Sequence, residues 1–263
     1  MKKIMWIALA ACGVLAAADR NPDAFVTHTE LSYVQTGGNT DTTAFALDFK
    51  GKKEWGAQSA QLDLDAIYGT EDKVENKNRF YGEFNYNWQF AKHFTVNYVA
   101  GYKRDRFSGF DYQFFTGPGA KYIALDDKVF HLDFQGNVLY NIDETMKKYY
   151  DANGDEIKYP YPDGTGSAAR VEDGLYDDYY GALLKGNFSW VIVEGFKFVE
   201  EASYRVSFDD VQNYFIFSKT GFESKISDMF SLGVSYKANY ANLPPEGNKR
   251  LDTTFMTSLI IDY

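Results

Sequence analysis

The residues in this chain best suited to chemistry are few and scattered. His28, His93 and His131 lie on the polar side of alternating segments, and Ser32 and Ser59 share that side. A hydrolase needs a nucleophilic hydroxyl, a base within reach of it and a third group that orients the base. No His–Ser spacing and no G-x-S-x-G turn supplies that set, so no catalytic residue, no cofactor and no enzymatic activity is expected. Asp151, Asn153 and Asp155 place oxygens at alternate positions, as a calcium loop begins. Glu156 then stands where the turn glycine belongs and Pro162 where the closing glutamate belongs, so a solvated acidic loop is expected there in place of a metal site. What remains is charge. Arg79, Glu83, Lys103, Lys121, Asp133, Lys185, Glu201, Arg205 and Lys237 recur on the same alternating side with both signs interleaved. A field that captures polyanions needs one sign, whereas a mixture suits ion pairs across an enclosed space, where an unpaired charge is costly.

The elements that must position these groups have a period of two. Phe80, Gly82, Phe84, Tyr86, Trp88 and Phe90 alternate with Arg79, Tyr81, Glu83, Asn85, Asn87 and Gln89, and Phe230 to Tyr240 repeats the pattern. That is a β-strand with one apolar and one polar face, and helical spacing does not fit it. Twelve such segments are expected, near 25–36, 41–52, 57–69, 78–90, 93–106, 111–124, 128–142, 176–190, 196–208, 212–226, 229–241 and 250–263. The links between them alternate too. Tight turns are expected at 91–92, 125–127, 191–195 and 227–228, longer polar loops at 70–77, 143–175 and 242–249, and a long basic turn near 50–55.

Short turns on one side and longer loops on the other fit an outer-membrane barrel, with the short ones periplasmic. A soluble sandwich or lipocalin also alternates, and period alone does not say which face looks inward. Strand length and aromatics gathered at strand ends favour the membrane barrel. Twelve strands fall between eight, whose interior side chains can fill, and sixteen, which leave an aqueous channel. The lumen is therefore expected to be plugged by ion pairs or very narrow, with a small-solute channel as the alternative.

Composition points the same way. The chain has 263 residues with 21 Tyr, 22 Phe and 4 Trp, against a net charge of -10. Disordered chains are poor in aromatics, and an acidic balance argues against nucleic acid as a partner. Met1-Lys2-Lys3, the apolar run Ile4 to Leu15 and Ala16-Ala17-Ala18 read as a signal peptide cleaved after residue 18, which leaves one domain over 19–263. Leu9-Ala10-Ala11-Cys12 also resembles a lipoprotein signal, with Cys12 the only cysteine. The segment 143–178 carries ten acidic residues and is expected as a long surface loop. Gly37-Gly38-Asn39 suits a tight hairpin, and Gly117-Pro118-Gly119 is expected to break its strand as a bulge would. The chain closes on Phe255, Leu259, Ile261 and Tyr263, which resemble the terminal signal that outer-membrane proteins offer the barrel-assembly machinery.

The block Leu31 to Thr42 resembles the opening hairpin of the salt-induced outer-membrane protein family, YdiY-like, a domain of unknown function. Tyr102, Asp105, Phe107, Gly109 and Asp111, followed by Phe114 to Gly119, resemble its central block. The resemblance runs from about Thr27 to Tyr263. It implies an outer-membrane β-barrel of unassigned, non-enzymatic role, embedded in outer-membrane lipid.

Overall fold

The computed structural model describes residues 25–36, 42–157 and 168–263. The expected signal peptide, Cys12, Gly37-Gly38-Asn39 and Pro162 lie outside the described residues. The strands are β1 (Phe25–Thr36), β2 (Thr42–Trp55), β3 (Gln58–Glu71), β4 (Val74–Ala91), β5 (Phe94–Asp105), β6 (Phe110–Asp126) and β7 (Phe130–Thr145), then the short β8 (Lys148–Tyr150), β9 (Glu156–Ile157) and β10 (Arg170–Glu172), then β11 (Tyr176–Val193), β12 (Phe196–Ser207), β13 (Tyr214–Lys225), β14 (Phe230–Ala241) and β15 (Leu251–Asp262). Twelve of them close an antiparallel barrel in the order β1-β15-β14-β13-β12-β11-β7-β6-β5-β4-β3-β2. Closure leaves no sheet edge, so every wall strand has a neighbour on each side. The seam is β1 against β15, paired from His28–Asp262 to Ser32–Ser258, and Thr27 donates its N–H to the Tyr263 carbonyl at 2.6 Å.

The wall has its polar face inward. Glu83 and Lys237 are each 2% exposed, whereas Trp88, Phe134 and Phe255 are 52%, 51% and 68% exposed. A water-soluble barrel packs its apolar face inside, so these values separate the two architectures that periodicity leaves open. Aromatic contacts on the outside form two bands. At the short-turn end Phe94 meets Tyr122 at 5.0 Å between ring centroids, Phe130 meets Trp190 at 6.1 Å and Phe196 meets Phe222 at 5.7 Å. At the other end the contacts are between tyrosines, Tyr140–Tyr180 and Tyr204–Tyr214, both at 5.6 Å, and Tyr214–Tyr240 at 6.0 Å. Phenol rings with one wet end suit a headgroup boundary.

Several connections differ from the sequence expectation. The loop expected over 70–77 is absent, because β3 and β4 run on to a turn at Asp72 and Lys73 with φ of 48° and 66°. Positive φ at two central residues matches the twist of a hairpin, and cross-strand pairing supports it here without glycine. The basic turn expected near 50–55 is strand: β2 continues to Trp55, and Gly56 at φ 59° makes the turn. The expected break of the ladder at Gly117-Pro118-Gly119 occurs on the β7 side, without a bulge. The pairing of β6 with β7 lapses at Gly117 and Pro118 and resumes in the same register at Gly119–Asn137. Gly117 is there for closeness, since a Cβ would collide with the Val138 carbonyl oxygen. The acidic loop expected over 143–178 is shorter, because β7 reaches Thr145 and β11 starts at Tyr176. Asp143, Glu144, Asp177 and Asp178 therefore belong to the wall. The intervening segment builds its own sheet, ordered β10-β8-β9.

Candidate functional site

The lumen is an enclosed polar region, and its side chains are those in phase with the inward face. It holds two cavities that share Lys50, Glu201 and Lys219 as lining residues. The cavity on the long-loop side measures about 190 Å³, and the one on the short-turn side about 450 Å³. Between them lies a layer of ion pairs. Lys50 Nζ donates to Glu201 Oε2 at 2.7 Å, joining β2 to β12, which β1, β15, β14 and β13 separate along the shorter way round the ring. Lys219 Nζ donates to Glu30 Oε1 at 2.5 Å and lies 3.9 Å from Asp48 Oδ2. Lys237 bridges Asp48, at 2.5 Å, and Asp65. Arg79 holds the other oxygen of Asp65 at 3.0 Å. Lys185 is paired with Glu83, which also accepts hydrogen bonds from Tyr81 Oη at 2.5 Å and Asn85 Nδ2 at 2.6 Å.

The pairing is tight for a physical reason. Removing charges from water costs several kcal/mol per ion, by about the same order as their mutual attraction returns, so cations and carboxylates persist only when each lone pair or proton has a partner. Lys237, at 2% side-chain exposure, has two carboxylates, and Asp48 and Asp65 each have two cations.

The remaining sequence candidates divide between the two cavities. Asp133 accepts from His131 Nε2 and Asn187 Nδ2, both at 2.9 Å, and with Lys121 it lines the short-turn cavity. Lys103 and Arg205 line the long-loop cavity. Arg205 Nη1 donates to Asn141 Oδ1 at 3.4 Å, and its Nη2 lies 3.7 Å from Asp143 Oδ1. Lys225, which the alternation also assigns to the lumen, is instead at a turn, paired with Asp228 at 2.7 Å. Inward aromatics beyond Tyr81 are what the sequence reading missed: Phe115 and Phe215 are in phase with the charges, and that phase is the signal that could have found them. Gly101 makes room for one of them, since a Cβ there would strike the Phe115 ring. Val99, Phe115, Leu139 and Leu183 form a buried apolar cluster against Tyr81 inside an otherwise polar lumen.

The histidines are occupied by carboxylates or backbone. His28 Nδ1 lies 2.6 Å from Asp262 Oδ1 and its Nε2 3.3 Å from Glu30 Oε1, His131 Nδ1 lies 3.0 Å from Asp126, and His93 Nδ1 lies 2.8 Å from the Ile123 carbonyl. Among the described residues no serine hydroxyl is hydrogen-bonded to a histidine. Asp151 turns its carboxylate back on its own loop, where Oδ1 accepts the N–H groups of Asn153 at 2.8 Å and Asp155 at 2.9 Å. The backbone N–H of Asp155, the stronger influence, holds that carboxyl below the usual range. No group of three or more metal-ligating side chains occurs among the described residues. Phe255 and Leu259 face outward on β15, with Ile261 and Tyr263 at its end, against β1 and β14.

A closed twelve-strand wall, an aromatic exterior and a charge-filled interior define a transmembrane β-barrel. The chain belongs to the family described as "Protein of unknown function, DUF481", whose model matches residues 29–263. That agrees with the family of unknown function that the block Leu31 to Thr42 resembles. No curated protein matches the sequence. Among solved structures, the NanC porin is similar at TM-score 0.43 and 12% identity over 91% of this chain and 98% of that one. The translocator domain of the autotransporter NalP from Neisseria meningitidis gives 0.46 and 9% over 98% and 93%. The KdgM porin gives 0.38 and 9% over 91% and 98%. These similarities are low, and the barrel architecture rests on the strand pairing itself.

Proposed function

We propose that this is a non-enzymatic outer-membrane β-barrel whose lumen is closed at mid-height by ion pairs, with a structural or envelope-stress role in place of transport. Residues 1–18 serve as the export leader, and the terminal strand ending at Tyr263 serves as the signal to the assembly machinery. The short turns then face the periplasm and the longer loops the exterior. Two girdles of exposed rings separated by an apolar band support the membrane placement. The carrying observation for closure is the Lys50–Glu201 pair, which reaches across the barrel between the two cavities. An open porin of this size would leave water along its whole axis, whereas here Lys50 and Glu201, with side chains 42% and 28% exposed, meet from strands with four others between them.

The channel reading keeps one observation in its favour, the 450 Å³ cavity open to one side of the layer. Membrane fractionation and a proteoliposome swelling assay test both points. Recovery in the outer-membrane fraction and no swelling in small sugars or salts is the expected result. Swelling that scales with the amount of folded barrel would favour the channel, and recovery in another fraction would contradict the placement.

A further inference from the structure

The long-loop cavity has donors without partners beside an aromatic wall. Lys103, on β5, has no hydrogen bond or ion pair among the described residues, although it lines the cavity. Directly opposite it in the β5–β6 register stands Gln113, 2% exposed, whose Nε2 also has no partner. A buried donor left unsatisfied costs about 1–3 kcal/mol, so Gln113 Nε2 calls for an acceptor, and the half-buried Lys103 ammonium beside it adds an unpaired positive charge. The carboxylates nearby are engaged only in part. Asp105 turns Oδ1 to the Phe107 N–H at 3.1 Å, and Asp63 accepts from Gln61 at 2.8 Å. Asp143, opposite Gln113 on β7, accepts from Tyr179 Oη at 2.8 Å through Oδ2, while its Oδ1, 3.7 Å from Arg205 Nη2, has no hydrogen bond. Asp48 and Asp65 are held by Lys237, and Asp252 is exposed on the loop side.

The other side of the cavity is apolar. The Arg205 guanidinium lies 4.4 Å from the Phe215 ring centroid and 5.4 Å from that of Phe115, which keeps both rings in place and polarised. Phe110 meets Phe215 edge-on at 6.1 Å. At about 190 Å³ the space exceeds the roughly 150 Å³ of a cavity known to hold benzene, and it is too small for an oligosaccharide. Lys249 and Arg250, exposed among its lining residues, favour approach of an anion.

We propose that this cavity binds a small organic anion, a carboxylate on a single aromatic ring or a comparably small apolar body. The carboxylate accepts from Lys103 Nζ and Gln113 Nε2, and the body lies against Phe110, Phe115 and Phe215. The site lies to the long-loop side of the ion-pair layer, so it stands whether or not the lumen conducts.

The test is calorimetry with saturation-transfer NMR on the full barrel in lipid nanodiscs, with benzoate and hexanoate as probes and benzamide as the uncharged counterpart of benzoate. Saturable one-to-one binding of at least one anion is expected, weakened about tenfold in Lys103→Met, as loss of a charge-assisted hydrogen bond predicts. Benzamide should bind wild type about tenfold more weakly than benzoate by the same reasoning. Lys103→Met breaks no hydrogen bond or ion pair within the protein, so it should fold, which heat-modifiable gel migration checks. If it does not fold, Gln113→Leu replaces it, with weakening of roughly threefold to tenfold. Failure of both anions to saturate, binding as tight in the folded variant as in wild type, or equal binding of benzamide and benzoate overturns the proposal.

Discussion

The two halves of the lumen obey the same alternation and have opposite characters. The short-turn half is lined by amides and histidine–carboxylate pairs that mostly satisfy one another. Gln135 donates to Asn137 at 2.8 Å, Asn137 to Asn97 at 3.3 Å, and His131 is held between Asp126 and Asp133. Its buried atoms without a hydrogen bond include Asn87 Oδ1, Asn97 Nδ2 and Glu223 Oε2, the last held in an ion pair 2.9 Å from Lys197 Nζ. The long-loop half sets phenylalanines beside cations and leaves Lys103, Gln113 Nε2 and Asp143 Oδ1 without hydrogen bonds. A period of two determines which residues enter the lumen, and the residue types at each height determine whether they close on themselves or wait for a ligand.

The ion-pair layer separates the halves, and the largest expected effect comes from breaking it on one side only. Lys237→Met leaves Asp48 and Asp65 short of a cation in a confined space, which should destabilise the barrel by about 3–5 kcal/mol. Urea unfolding in phospholipid vesicles, followed by tryptophan fluorescence, measures it. A loss under ~1 kcal/mol would mean that lumen water already screens the pair. Gly117→Val should come next. The added carbons strike the Val138 carbonyl, an overpacking of about 1–3 kcal/mol, seen as a lowered unfolding midpoint in the same assay. The Lys50→Ala/Glu201→Ala double substitution removes both members of one pair, and Asp63, opposite Lys50 in the β2–β3 register, keeps its hydrogen bonds from Gln61. It should cost less stability than Lys237→Met while joining the two cavities, and a loss as large as that of Lys237→Met would show that this pair holds the walls together as well as closing the lumen.

The smallest effect lies outside the membrane-spanning wall. Asp127, in the turn between β6 and β7, accepts the N–H groups of Phe130 at 2.8 Å and Val129 at 2.7 Å, and these bonds, Phe130 first, hold its carboxyl below the usual range. A depressed folded-state pKa stabilises the fold above the unfolded-state value and ceases to do so as pH falls through the folded-state one. Wild type should therefore exceed Asp127→Ala slightly in stability at neutral pH, and the difference should vanish in acid. A difference that persists at pH 2 would assign the effect to the turn backbone.

Much of the wall was legible in the sequence. Segments such as Phe230 to Tyr240 state their faces residue by residue, and all twelve wall strands were countable, because a strand with one side in lipid must alternate along its whole length. Alternation by itself is symmetric between inside and outside; strand length and aromatics gathered at strand ends favoured the membrane barrel, and burial bears that out. Asp72-Lys73 reads as part of a longer loop and not as a two-residue turn because Lys disfavours positive φ, and the pairing of β3 with β4 supplies what local preference lacks. The site was legible as a set of charges and illegible as a set of pairs. Lys50 and Glu201 are 151 residues apart, and what brings them together is strand order and stagger, neither of which is written near either residue. The inward rings of Phe115 and Phe215 were hidden for another reason: the strong rule that aromatics face lipid drew attention away from their phase.

The closed lumen is tested most directly by single-channel recording of the wild-type barrel beside the Lys50→Ala/Glu201→Ala variant in planar bilayers at the same salt. The account predicts a silent wild type, verified as folded and inserted, and discrete, salt-dependent steps in the variant. Stable steps of equal size from both proteins would contradict it, because the ion-pair layer would then not be what divides the lumen.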